Sequence, residues 1–333
     1  MRDHLILTAS EIGTLWGQYI NGTMMDIVNR YMVSIIDDQG IKNIFEDAVR
    51  TFYKQKEQVA FFIQKEGFPV PVGFTEEDLR KAPRLFSDLF CLNYLHIMTL
   101  HGLIGHNISL SVSVNKNLRE FYDSCDNEGK RMFKLTTDML LEKGSLQHEP
   151  YFYPTEETEF VSESGFISSF LDPDRPISAT EVINLSFNLK KSMLGKTLAI
   201  GFSQVAKEQE VITFLLKAIK KSENHTSGLA EILKKENLPL PQSFDSEVTT
   251  STESPFSDKL IMYHIGFLIQ TAQAYHGIGL SGAMRSDLAI AYEKTILENL
   301  AATRKWFAIM VKHKWLEQPP LAANRKRIAV EKK

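Results

Sequence analysis

At 333 residues, 43% hydrophobic and 24% charged, the chain has an ordinary globular composition and is long enough for two domains with cores of their own. A net charge of −3 and a pI near 6.3 leave no electrostatic footprint for nucleic acid. Cys91 and Cys125 form neither a disulfide framework nor a metal-ligand pair, which implies a reducing compartment. The opening MRDHLILTASE lacks a basic region followed by an apolar run and a small-residue cleavage site, so the expectation is a cytoplasmic protein.

One repeat organises the chain. KEGFPVP at Lys65 returns as KENLPLP at Lys235, and the same 170-residue offset pairs Phe86-Ser87-Asp88 with Phe256-Ser257-Asp258, and TASEI at Thr8 with SATEV at Ser178. It also pairs His106 with His276, Tyr122 with Tyr292, Glu128 with Glu298 and Pro150 with Pro320. A single register without a gap over about 140 residues implies a duplicated domain with corresponding elements in each half.

In chain order, each half opens on a capping box, Thr8-x-x-Glu11 or Ser178-x-x-Glu181. A second helix is predicted over about Ile41–Glu66 and Val211–Glu236, stopped by the Pro-x-Pro strings that follow. The segments Val72–Leu85 and Gln242–Pro255 are too long for a hairpin and suit a crossover along a bundle. The third helix carries no charge between Asp88 and Lys116, or between Lys259 and Arg285, so it must be wrapped on all sides. Its histidines, glutamines and asparagines argue against a membrane span. Gly277, Gly279 and Gly282 at its end suit close helix approach or a loosened C-terminus. The fourth helix runs over about Asn117–Lys143 and Ser286–Lys314.

Four helices with one long crossover make each half a ferritin-like bundle. The fold class is therefore all-α, two tandem ferritin-like four-helix bundles from an internal duplication. The domains are a first bundle over 1–150, a linker over 151–176 that packs its aromatics between the bundles, a second bundle over 177–320, and a basic tail over 321–333.

The fourth helices carry a carboxylate within an apolar seam: Glu128 between Cys125 and Met132, and Glu298 between Thr295 and Ala302. A buried carboxylate must be paired, protonated or bound to a cation. His225 on the second helix and His276 on the third stand at a compatible level, so His225, His276 and Glu298 could converge, with Glu181 or Glu293 as a further oxygen ligand. Such a set suits iron, manganese or zinc. Neither half has the Glu-x-x-His of di-iron bundles on its second or fourth helix, and Gln55 replaces His225 in the first half. The structural alternatives are a buried His225 hydrogen-bonded to Glu298 or to a tyrosine, and a capping role for Glu181. His96, His101 and His106 recur every five residues, which turns each by about 140°, so they cannot all face one metal and are assigned to packing or interbundle hydrogen bonds, with Glu128 as an alternative partner for His106. No phosphate loop or dinucleotide fingerprint occurs.

The strings IGFSQVAKE at Ile200, PFSDKL at Pro255, WLEQPP at Trp315 and KEGFPVP at Lys65 resemble a duplicated-domain family of unknown function from spore-forming Gram-positive bacteria, related to spore coat protein F. The resemblance implies a ferritin-like fold, a link to sporulation or the spore coat, and other coat proteins or a second copy as partners. The functional expectation is a non-catalytic structural or interaction protein; the alternative is an iron- or manganese-binding bundle with redox activity.

Overall fold

A computed structural model describes residues 7–158, 160, 161, 166 and 175–330. The first six residues, much of the linker and the last three residues of the tail, on which the leader, linker and tail expectations partly rest, lie outside the described residues. The long helices are α1 Ala9–Ile35, α2 Gln39–Lys65, α3 Asp88–Ser111, α4 Lys116–Glu142, α5 Ala179–Val205, α6 Gln209–Lys235, α7 Asp258–Ser281 and α8 Ser286–Lys312. An exposed α9, Arg325–Val330, lies in the basic tail. Every long helix of the second half begins and ends 170 residues after its counterpart. The register slips only in the crossover, where the 3-10 turn Glu76–Asp78 answers to Asp245–Glu247, 169 residues later. The gapless alignment expected from the sequence therefore conceals one compensated single-residue shift.

Acidic side chains close the turns of each half. Glu11 completes the capping box of α1, accepting from Thr8 N at 2.8 Å, and its other oxygen accepts from Val114 N and Asn115 N at 2.9 and 2.7 Å in the α3–α4 turn. Asp88 and Asp258 accept from Asp38 N and Glu208 N at 2.8 and 2.6 Å in the α1–α2 and α5–α6 turns. The repeated Phe-Ser-Asp string is thereby explained residue by residue. Its Phe fills the core, its Ser caps α3 or α7, and its Asp takes up backbone donors left over by a helix end.

The two halves are joined by reciprocal contacts. Leu79 forms a bridge with Phe256 and Phe86 with Val248, so each crossover pairs with the other. The Ser87 hydroxyl donates to Glu247 and the Ser257 hydroxyl to Asp78, so each third helix has its cap buttressed from the opposite half. Reciprocity of this kind defines a two-fold relation. On the axis, equivalent positions of α3 and α7 meet: Tyr94 Oη lies 3.1 Å from His264 Nε2. Phe86, Phe202 and Phe256 stack edge to face around them, with Tyr31 against Phe256. One apolar cluster accordingly draws on both halves, while smaller clusters fill the far end of each bundle. The uncharged helices share this cluster across the seam through their N-terminal halves, whereas Ile104 and Ile108 of α3 and Ile278 of α7 are exposed toward their C-terminal ends.

The linker aromatics do not fill that seam. Tyr151, Tyr153 and Phe160 are 83%, 96% and 90% exposed, because Tyr31, Phe86, Phe202 and Phe256 already occupy the space between the halves. Phe166 lies under the Arg175 guanidinium, 4.3 Å away. Among the described residues no helix is long and apolar enough to cross a membrane.

Candidate functional site

Halfway along the second bundle, α5, α6, α7 and α8 enclose a small pocket of about 90 Å³ bordered by Lys191, Ser222, His225, His276 and Asn299. His225 and Glu298 meet, with Nε2 2.7 Å from Oε2. Glu298 is 34% exposed and Glu128 43%, so the carboxylates expected inside the seams sit at its edge, where solvent lowers the cost of their charge. His276 Nδ1 donates to Ala272 O at 2.6 Å, which fixes the tautomer and leaves Nε2 as a buried acceptor with no partner among the described residues. Burial, with Lys191 nearby, pushes its pKa down to about 3.

Lys191 is the group that sequence reasoning missed. It is 4% exposed, its Nζ lies 3.9 Å from the Tyr275 ring centroid, and it has no hydrogen-bond acceptor among the described residues. Burial holds its pKa well below the usual lysine range, so the amine is pushed toward its neutral form. In sequence it is one of two adjacent lysines, and its counterpart Asn21 carries no charge, so neither composition nor repeat marked it.

Glu181 stands apart from the other three predicted ligands. Its carboxylate accepts from Ser178 N at 3.0 Å, from Arg285 N at 2.9 Å and from Arg175 Nη2 at 3.0 Å, with Arg285 in turn bound to Glu236 and Asp287. These hydrogen bonds outweigh the opposing effect of burial and lower its pKa. Glu293 is exposed on α8. Among the described residues no three His, Cys, Asp or Glu side chains are placed to hold a metal ion together.

The same level of the first bundle is built differently. Gln55 stands for His225, Asn21 for Lys191 and Phe52 for Ser222, while Glu128 turns out to Arg131 at 2.8 Å. His106 bonds Gln18 at 3.1 Å, not Glu128. His96 bonds Thr136 at 3.0 Å within its own bundle, and His101 reaches Tyr275 of the other half at 2.7 Å. Both cysteines are buried and free, and burial pushes their thiols up, away from the reactive thiolate.

A family described as "Protein of unknown function (DUF3231)" matches residues 2–157 and, a second time, 165–328. The chain belongs to the DUF3231 family. The two matches are the two structural halves. No curated protein matches the chain. A crystal structure from Bacillus halodurans C-125, described provisionally as a spore coat protein, is 16% identical over 46% of this chain and 99% of its own, with a TM-score of 0.42.

The surface of this DUF3231 chain offers a second candidate, on α8. Ile290, Leu297, Leu300, Phe307 and Val311 are 53%, 67%, 42%, 47% and 65% exposed. Together with Glu293 and Arg304 they follow alternating steps of three and four residues, the spacing of a helix–helix seam. The corresponding positions on α4 are Glu120, Asn127, Lys130, Thr137 and Leu141, an ordinary solvated face. Glu293 and Arg304 are exposed and neither forms an ion pair within the described residues. The signal was present in the sequence, but α8 is apolar on two faces, and periodicity alone does not say which one faces the core.

Proposed function

We propose that the chain is a non-catalytic structural protein that self-associates through the outer face of α8. The observation that carries this reading is the apolar stripe on α8, exposed and without a partner among the described residues and absent from the equivalent α4. A stripe some 30 Å long on one helix is the size of a helix-packing interface.

The occupant is a second copy of the chain, because the stripe is self-complementary when two α8 helices run antiparallel about a two-fold axis. In that register Leu297 faces Leu300, Ile290 faces Phe307, and the two charges in the seam, Glu293 and Arg304, face each other. Sedimentation of the purified full chain is expected to give a dimer of the 37.9 kDa chain at tens of micromolar. Leu297→Lys should return it to monomer. Glu293→Arg or Arg304→Glu alone should weaken the dimer at least tenfold, and the double exchange should restore it. A wild-type monomer at that concentration sinks the reading; failure of the double exchange sinks the antiparallel register.

Membership of a spore-coat assembly, with other coat proteins as further partners, rests on the sequence strings at Lys65, Ile200, Pro255 and Trp315. Immunoblots of washed spores against vegetative cells test it: absence from the spore fraction rejects it. A ferritin-like bundle that binds iron, manganese or zinc is the second reading, favoured by the His225–Glu298 pair beside the unpartnered Nε2 of His276. Glu181 contributes to it only by abandoning its cap. Metal near one equivalent after purification without chelator, lost in His225→Ala and Glu298→Ala, would establish that site; its absence after iron and manganese have been offered would reject it.

A further inference from the structure

The first bundle contains a cavity of about 360 Å³, four times the volume of the pocket at the same level of the second bundle. It lies among α1–α4 and reaches α7 across the seam. Its size follows from the identity of a few residues. Gly22, Gly105 and Gly129 stand where the second half has Ser192, Tyr275 and Asn299. A Cβ built on Gly22 or Gly105 meets no atom within 4 Å, so the space beside them is open. Met24, Met25, Met98 and Met132 line much of the rest, and methionine adapts to irregular apolar guests.

Two polar groups in this wall have an unmet requirement. His101 and His106 line the cavity and are 7% and 8% exposed. His101 Nδ1 is engaged by the Tyr275 hydroxyl and His106 Nε2 by the Gln18 amide. With those nitrogens accepting, His101 Nε2 and His106 Nδ1 carry the protons, and neither has an acceptor among the described residues. Both rings are kept neutral by burial, which pushes them down to about 3 and about 4. The charged side chain at the wall, Glu128, is committed to Arg131. Exposed Ile104, Ile108 and Ile278 border the cavity toward solvent.

We propose that this cavity binds an uncharged amphiphile with an apolar body and one acceptor oxygen, which takes a hydrogen bond from His101 or His106. A dry cavity of roughly 150 Å³ holds benzene, so this one has room for about ten to fourteen non-hydrogen atoms. A charged headgroup is excluded because neither neutral ring offers a counter-ion. The site is independent of α8 and of the His225 pocket.

The test uses the full chain purified without detergent, with 1-decanol, decane and decyltrimethylammonium as probes, read by native mass spectrometry and by thermal shift. One equivalent of 1-decanol is expected, with decane bound about tenfold more weakly and the cation not bound. Gly105→Tyr, which installs the side chain found at the same position of the second half, and Gly22→Leu should each reduce 1-decanol binding at least tenfold. Melting temperatures identify the variants that fold, and either one suffices. The wild-type comparison of alcohol with alkane stands without them. Absence of a stoichiometric 1-decanol complex overturns the proposal, as does undiminished binding in a folded filling variant. Equal affinity for decane and decanol overturns the role of the two imidazoles.

Discussion

The two halves have the same helices in the same register but opposite distributions of apolar surface. The first bundle is open and oily within, and polar on the face of α4; the second is tight and polar within, and apolar on the face of α8. The helix frame is set by caps and turn-closing carboxylates that both copies keep. The contents of each interior and the outward face of its last helix are free to diverge around that frame.

The largest test of the comparison is acid. Burial lowers the pKa of His96 and His106 to about 4, and of His101, His264 and His276 to about 3. Their unfolded values lie near 6.5, so between pH 6.5 and about 4 the unfolded chain binds protons that the folded chain refuses. Stability therefore falls as pH falls through that window, by about 1.4 kcal/mol per pH unit for each histidine fully linked. Urea titrations at pH 7, 6 and 5 measure the slope. His106→Gln and His276→Gln should flatten it equally if the halves unfold together through their shared core. Two separate transitions, each sensitive to one variant, would show that the halves are independent.

A smaller effect separates the two turn-closing glutamates. Glu181→Ala leaves Arg175 buried without its carboxylate and is expected to cost about 3–5 kcal/mol. Glu11→Ala, which strands backbone donors and no buried cation, should cost about 1–3 kcal/mol. Equal losses in chemical denaturation would mean that the arginine contributes nothing. The smallest effects come from glycine. An alanine Cβ at Gly266 would lie 2.1 Å from the Trp306 ring and should destabilise by about 1–3 kcal/mol. Gly105→Ala enters open space in a helix and should stabilise by about 0.5–1 kcal/mol. A loss at Gly105 would mean that the cavity is smaller than described.

Much of the frame was legible before any coordinates. The capping boxes marked the starts of α1 and α5, and the second and fourth helices of each half were placed to within about two residues, whereas the ends of α1 and α5 were not read and the uncharged stretches run past the ends of α3 and α7 at Ser111 and Ser281. On α4, Cys125 and Met132 are buried on either side of Glu128 as the seam requires, and Thr136 continues the buried side one turn further on. The candidate site was legible in part. His225 and Glu298 share a level and meet, and His276 borders the same pocket, whereas Glu181 belongs to the far turn. Contacts across the seam have no periodicity in the sequence, so the interbundle hydrogen bond open to His101 could not be given Tyr275 as its partner, and Lys191 over the same ring, a contact within the second bundle, left no trace because its counterpart Asn21 carries no charge.

Tyr94 and His264 occupy one position of the repeat and touch across the axis that relates the halves. In an assembly of two identical chains that position would confront itself, phenol with phenol or imidazole with imidazole. On a single polypeptide the two sides mutate separately, so one can supply the proton and the other the lone pair. Covalent linkage of the copies thus allows a directional hydrogen bond at the centre of an otherwise symmetric interface, and separating the copies into exchangeable subunits would forfeit it.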